Sequence, residues 1–137
     1  MIVYVDTSVV LRHLLGQAKS LNWAGWEAAY SSEILGLEVR RVIDRLRLAS
    51  ALDDNGVANA QQALTQLERS IGQISLTRKV LRRAALPMPT AVKTLDAIHL
   101  ASALLFQERR GDVLVFATHD VQQATGARAL GFEVIGW

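Results

Sequence analysis

Four acidic residues stand out in this chain of 137 residues because of the residues that surround them. Asp6 directly follows an apolar run at residues 2–5, and Asp120 comes three positions after a second apolar run at residues 113–117. Both runs are short and apolar throughout, which is typical of strands buried on both faces of a parallel sheet. Since ligands gather beyond the carboxyl ends of such strands, we expect both carboxylates at one edge of the sheet.

Glu38 and Asp96 are carboxylates on helix faces that are otherwise apolar. Steps of four along a predicted helix at residues 33–51 place Glu38 within the apolar stripe, and Asp96 lies in the opening turn of a hydrophobic helix predicted at residues 95–107. A buried carboxylate needs a cation, a hydrogen-bond donor or a metal. The alternatives are a salt bridge from Glu38 to Arg41 or another arginine, and a favourable helix dipole for Asp96.

Carboxylates that meet in one place repel one another and resist ionisation unless a cation neutralises them. Convergence of the four acids would therefore imply a bound metal ion. Hard oxygen ligands and the absence of cysteine favour Mg²⁺, with Mn²⁺ as a substitute. The three histidines lack the spacing of a zinc site, and no glycine-rich phosphate loop or Gly-x-Ser-x-Gly motif is present. Taken singly, Asp6 and Asp120 can also be simple helix N-caps.

The elements that position these acids alternate between strand and helix. This alternation predicts an α/β fold, a three-layer α/β/α sandwich around a mostly parallel sheet, in one domain that spans residues 1–137. Strands are predicted at 2–5, 30–31, 72–76, 113–117 and 132–135, and helices at 7–15, 18–28, 33–51, 57–70, 77–86, 95–107 and 121–130.

Turn and cap residues complete this prediction. Residues 53–56 (DDNG) are typical of a turn, and the candidate N-caps are Ser31 or Ser32 for the helix at 33–51 and Thr90 or Thr94 for the helix at 95–107. Trp23 and Trp26 are spaced as on one face of the predicted helix at 18–28. They are interpreted either as core residues or as a groove for a partner.

Composition and charge restrict the class of protein. Half of the residues are hydrophobic and a fifth are charged, which argues against disorder. No span is apolar enough for a membrane helix and the start does not resemble a signal peptide, so we expect no membrane association and a cytoplasmic location. The net charge is +2, and the clustered arginines form either solvated helix faces or a phosphate-binding surface.

Four segments, in this order and spacing, resemble the PIN-domain ribonucleases, and among them the VapC-type toxins of toxin–antitoxin pairs. The segments are residues 3–8 (VYVDTS), 31–38 (SSEILGLE), 95–103 (LDAIHLASA) and 115–120 (VFATHD), followed by ALG at 129–131. The resemblance covers essentially the whole chain. It departs at His119, where asparagine is common in the family, and after Asp120, where many members carry a further acid.

The resemblance implies a metal-dependent endoribonuclease that cleaves structured RNA such as transfer or ribosomal RNA. Its acids correspond to Asp6, Glu38, Asp96 and Asp120, and Thr118 matches a hydroxyl residue that helps to hold metal or water. A site this negative repels RNA, so nearby cations must attract the substrate. The residues expected to form this basic rim are Arg12, Arg40, Arg41 and Lys93.

The resemblance also implies partners: a homodimer, silenced by a small VapB-like antitoxin in a heterotetramer or larger assembly. The antitoxin's C-terminal segment would lie over the site and deliver an arginine toward the acids. Two other functions stay open from sequence. One is a housekeeping RNA-processing nuclease with the same site, and the other is a non-catalytic RNA-binding module on the same fold.

Overall fold

The computed structural model describes all 137 residues and contains five strands and six helices, with one or two helices between successive strands. None of the helices has the length and apolar character needed to cross a membrane. The strands are β1 Ile2–Val5, β2 Ala28–Ser32, β3 Gly72–Ile74, β4 Leu114–Ala117 and β5 Glu133–Ile135, and the helices are α1 Thr7–Leu14, α2 Ile34–Leu48, α3 Asp54–Ser70, α4 Arg78–Ala84, α5 Thr94–Arg110 and α6 Val121–Ala129.

The five strands form one parallel sheet in the order β3-β2-β1-β4-β5. Strand β1 lies in the centre, and the chain builds the sheet outward on one side through β2 and β3 before it crosses to β4 and β5. The carboxyl ends of β1 and β4 therefore meet at a topological switch point, the usual place for a ligand in such folds. The predicted α/β sandwich with a parallel sheet is confirmed.

Successive residues of a strand point to opposite faces of the sheet, and the core divides accordingly into two layers. Val3, Val5, Val115 and Ala117 pack against the buried residues of α1, α2 and α3. On the other face, Tyr4 and its neighbours on β4 pack against α5 and α6. β1 and β4 are buried on both faces, so Asp6 follows a strand that is held by the sheet and by both core layers.

The prediction of a helix at residues 18–28 is wrong. This region is irregular up to the start of β2, and Lys19 and Gly16 both adopt positive φ angles near 62°, which an α-helix excludes. Trp23 stacks on Trp26 at 5.0 Å and on His13 at 5.3 Å between ring centroids. The indoles are partly buried and pack against the core cluster that contains Val9 and Val10 of α1, which favours the core interpretation of these tryptophans over a partner groove.

The structure also corrects the predicted helix starts. Asp53 is the N-cap of α3 and accepts a hydrogen bond from the Gly56 N–H, so the segment predicted as a turn is largely the first turn of that helix. The N-cap position of α2 is Glu33, although the Ser32 hydroxyl accepts from the Ile34 N–H. In α5 the N-cap position is Lys93, without a side-chain cap.

Candidate active site

Asp6 ends the central strand and is almost fully buried, with 4% of its surface exposed. It is the N-cap of α1, where its Oδ1 accepts from the Thr7 N–H at 2.8 Å. Its Oδ2 accepts from the hydroxyls of Ser8 at 2.9 Å and Thr118 at 2.7 Å. The N-cap interpretation is therefore correct for this residue. The same bonds also fix the direction of its carboxylate at the sheet edge.

Thr118 connects the two acids that follow strands. The pairing of Val5 with Ala117 places Asp6 and Thr118 side by side, and the Thr118 hydroxyl is fully buried. Its Oγ1 donates to Asp6 and accepts from the Asp120 N–H at 3.1 Å. Asp120 in turn is the N-cap of α6 and accepts from the Gln123 N–H at 3.0 Å. These bonds hold Asp6 and Asp120 at one edge, as the parallel sheet requires.

Glu38 is held by hydrogen-bond donors and forms no salt bridge with an arginine. The Thr7 hydroxyl donates to its Oε1 at 2.8 Å, and Nε2 of His99 lies 2.6 Å from the same oxygen. The alternative prediction, a salt bridge from Glu38 to Arg41 or another arginine, is wrong. Arg41 is paired with Asp44 instead, with 3.4 Å between its Nη1 and Oδ2 of Asp44. The partly buried carboxylate on this apolar stripe is thus satisfied by a histidine from α5.

His99 is completely buried and links Glu38 to the centre of the sheet. Its Nδ1 lies 2.6 Å from the hydroxyl of Tyr4, whose oxygen accepts from the Ser32 N–H. Burial and the charge of Asp6 raise the pKa of Tyr4 well above its usual value. Tyr4 therefore keeps its hydroxyl proton and can donate a hydrogen bond to Nδ1 of His99. This arrangement puts the imidazole proton on Nε2, facing Glu38. Although burial opposes the charged form of His99, the bond to Glu38 and the nearby acids raise its pKa overall.

Asp96 is the exception among the four acids. It lies half-buried in the first turn of α5, and its carboxylate has neither a hydrogen-bond donor nor an ion-pair partner. Burial, and then the charges of Asp6 and Asp120, raise its pKa to about 6, with Glu38 adding to the effect and His99 opposing it. A helix N-terminus alone would lower this pKa, so the helix dipole does not compensate for the surrounding negative charge.

All four acids line a single cleft of about 820 Å³ between α1, α2 and the first turns of α5 and α6. Thr7 and Ser8 also line it, together with three cations, Arg41, Arg45 and Lys93. Two of the cations expected at the rim lie elsewhere. Arg12 is in the last turn of α1, and Arg40 forms a two-bond ion pair with Glu68 of α3.

Arg45, Ser8 and the pair of Tyr4 and His99 are contributors that the sequence reasoning did not select as site residues. Arg45 could have been found from spacing, because it follows Glu38 by seven residues, which is about two helical turns on the same face. Unlike Arg40 and Arg47, it has no ion-pair partner. The role of Tyr4 has no comparable signal, since it depends on a contact across 95 residues of sequence.

The four carboxylates suit a hard divalent cation by their chemistry. Asp96 contributes unpaired oxygens in a negative environment, and carboxylate and hydroxyl oxygens are the ligands that Mg²⁺ and Mn²⁺ prefer. No three acidic or histidine side chains lie close enough together to coordinate an ion directly as they stand. Because Mg²⁺ keeps several of its waters, a site with few direct protein ligands fits the cation.

The sequence as a whole matches the model of one protein family. The PIN domain model matches residues 3–126, a span that runs from β1 into α6 and includes all four acids. The chain belongs to the PIN-domain family. It is similar to ribonuclease VapC47 of Mycobacterium tuberculosis (strain CDC 1551 / Oshkosh), with 25% identity over 131 residues, which cover 95% of this chain and 93% of that protein.

Solved structures share the PIN-domain fold of this chain. A toxin–antitoxin complex from Klebsiella pneumoniae aligns with a TM-score of 0.66 at 19% identity, covering 97% of this chain and 95% of that one. VapBC2 from Rickettsia felis, bound to a promoter DNA fragment, aligns with a TM-score of 0.65 at 13% identity, covering 100% and 99%. FitAcB from Neisseria gonorrhoeae gives 0.59 at 20% identity, covering 98% and 96%. At these identities the likeness concerns the fold.

Proposed function

We propose that this PIN-domain protein is an endoribonuclease that uses Mg²⁺, or Mn²⁺ in its place, to hydrolyse structured RNA such as transfer or ribosomal RNA. The observation that carries the proposal is Asp96, an unpartnered carboxylate whose pKa is raised to about 6 in a cleft lined by three other acids. Such an arrangement destabilises the metal-free protein and is relieved by a divalent cation. Similarity to a ribonuclease over nearly the full length supports the same activity.

Each acid has its own role in this proposal. Asp6 and Asp96 would bind the ion most directly, Asp120 would contact it directly or through water, and Glu38 would orient a water molecule. A bound Mg²⁺ supplies Lewis-acid polarisation of a phosphate and lowers the pKa of a bound water. The protein's own contribution is orientation, because Thr118 and Ser8 fix the Asp6 carboxylate and His99 fixes that of Glu38.

RNA binding is assigned to the cations of the cleft. Arg41, Arg45 and Lys93 surround the acids and can bind the phosphates on either side of the scissile bond. Arg45 and Lys93 are the strongest candidates, since both are exposed and have no acidic partner, whereas Arg41 is paired with Asp44. Arg12 and Arg40 lie outside the cleft, and their proposed role is limited to a general attraction for the more distant backbone of a folded RNA.

The metal requirement is tested by RNA cleavage in chelator-treated protein. We expect no cleavage after treatment with EDTA and full recovery when Mg²⁺ or Mn²⁺ is added back. Calorimetric titration of the metal into RNA-free protein provides a measurement that does not depend on knowing the RNA. Full cleavage in excess EDTA would rule out the metal mechanism, and RNA binding without any metal binding would favour the non-catalytic RNA-binding module.

We propose further that the protein is the toxin of a toxin–antitoxin pair in the cytoplasm, assembled as a homodimer with a VapB-like antitoxin. Leu37 and Leu95 lie at the cleft with 64% and 49% of their surfaces exposed, which favours a protein partner that covers them. A separate apolar groove of about 480 Å³ between α4 and the start of α5 offers a surface for the second copy.

Co-expression tests this assignment. Expression of the chain alone should stop growth, and expression with the protein encoded beside it should restore growth and yield a complex with two copies of each chain or more by light scattering. Harmless expression of the chain alone would contradict the toxin assignment and leave a housekeeping RNA-processing nuclease as the activity.

A further inference from the structure

Gln123 is bonded to both acid-bearing segments on the α5–α6 side of the cleft. It lies in the first turn of α6 and is fully buried. Its main-chain N–H donates to Oδ1 of Asp120 at 3.0 Å, and its side-chain Nε2 donates to the main-chain oxygen of Asp96 at 3.2 Å. One residue therefore connects the helix that begins at Asp120 to the turn that carries Asp96.

The side chain of Gln123 is not explained by the stability of the fold. Its Oε1 is buried without a hydrogen-bond partner, which opposes folding. The Asp96 carbonyl lies inside α5, where the regular helical pattern gives it the N–H of Leu100 as a partner. Leu100 of α5 and Ala127 of α6 are buried apolar residues of one core cluster at this helix contact. Replacing the amide with an apolar group of the same length would remove the unpaired oxygen from the interior.

Asp96 is the acid that most needs such a connection. Asp6 is fixed by three hydrogen bonds and Glu38 by two, whereas the Asp96 carboxylate is fixed by none. Its place in the cleft depends on where the first turn of α5 lies, and the end turn of a helix is its least constrained part. The bond from Gln123 to the main chain of Asp96 holds that turn beside Asp120.

We infer that Gln123 is a positioning residue for the metal site, which sets the place of Asp96 relative to Asp120 at a cost in stability. This inference rests on the proposed metal-dependent function. When the amide is replaced, the metal affinity should fall because the positioning bond is lost. The melting temperature should not fall, because the unpaired oxygen is removed together with that bond. Replacement of a residue with a purely structural role would lower both the melting temperature and the metal affinity.

The test is Gln123→Met, which keeps the length of the side chain and removes both polar atoms. We expect Mn²⁺ to bind the RNA-free protein about tenfold more weakly by calorimetry, as is usual when a group that orients a metal ligand is lost. The melting temperature of the metal-free protein should stay the same or rise. With RNA at saturating Mn²⁺, KM should change little. Gln123→Leu gives the same two readings if the methionine variant does not fold.

Thr90→Val is the matched control. The Thr90 hydroxyl is likewise buried without a partner and lies beside Gly126 of α6, but it bonds neither acid. This variant should also keep or raise the melting temperature and should leave Mn²⁺ affinity unchanged. Unchanged Mn²⁺ affinity in Gln123→Met, or a fall in Mn²⁺ affinity and melting temperature together, would overturn the inference while the proposed function stands. If the wild-type protein binds no Mn²⁺, both this inference and the proposed metal-dependent function are contradicted.

Discussion

Asp6 and Asp96 are carboxylates of the same cleft in opposite situations. Asp6 follows a central strand, and both of its oxygens accept hydrogen bonds from neighbours that the sheet places beside it. Asp96 stands in the first turn of a helix with no partner, and its pKa is raised to about 6. The comparison shows that one acid contributes to the stability of the metal-free fold while the other reduces it. Loss of either should stop catalysis, but the effects on stability should have opposite signs.

The largest effect is expected for Asp96→Asn, which should lower kcat by about 100- to 1000-fold, the range seen when a group that stabilises transition-state charge is removed. The metal-free variant should be more stable than wild type by about 1 kcal/mol at pH 7, a figure reduced for solvent screening. Cleavage assays and urea unfolding measure the two quantities.

The stability difference should depend on pH with a defined sign. The pKa of Asp96 is raised from 3.8 to about 6 in the folded state, so the folded protein holds this proton more tightly than the unfolded chain does. The resulting contribution to the unfolding free energy is complete below pH 3.8 and is lost as the pH rises through about 6. Wild type and Asp96→Asn should therefore unfold alike at pH 3.5 and diverge up to pH 7. Equal stability at both pH values would mean that Asp96 carries no electrostatic strain.

Thr118→Val examines the other side of the comparison. This change removes the hydroxyl that donates to Asp6 and accepts from the Asp120 N–H, both in buried surroundings. We expect a loss of about 2 kcal/mol in unfolding free energy, as for a hydrogen bond to a charged group, together with a 10- to 100-fold loss of activity. Thr125→Val is the control, since that hydroxyl is exposed on α6 and bonds only to its own helix. A stable and fully active Thr118→Val would show that Asp6 does not depend on this bond for its place.

The smallest effect concerns the cations around the acids. Arg45→Gln should raise KM for RNA by about three- to tenfold with kcat unchanged, and should reduce the dependence of log KM on log salt by about 0.7. Arg47→Gln is the matched control, because Arg47 is on the same helix but is paired with Asp44 and lies outside the cleft. Equal effects of the two variants would mean that only net charge matters and that Arg45 has no specific phosphate contact.

The strand side of the site was predictable from sequence, whereas the helix side was predictable only in part. Asp6 and Asp120 follow apolar runs, and a parallel sheet has a single carboxyl edge, so their meeting follows from local pattern and one topological rule. Glu38 was recognised as an acid in need of a partner, but the partner is His99, 61 residues away. The donor that reaches a buried carboxylate is determined by tertiary packing, so it cannot be predicted from the local periodicity of the sequence.

The irregular segment before β2 was mispredicted for a related reason. A spacing of three between Trp23 and Trp26 satisfies a helix, yet it also allows two indoles to stack directly at 5.0 Å. The stack packs against the core, and residues with positive φ on its N-terminal side prevent helical continuation. Tertiary contacts outweigh local propensity where the segment is short.

The bond between Asp6 and Thr118 spans 112 positions, which has a consequence for the timing of activity during translation. The ribosome releases Asp6 well before Thr118, so the nascent polypeptide cannot assemble its acidic centre until β4 has emerged and inserted beside β1. The acidic cleft is therefore incomplete in any nascent chain that ends before β4, and the proposed activity cannot begin before that strand is made.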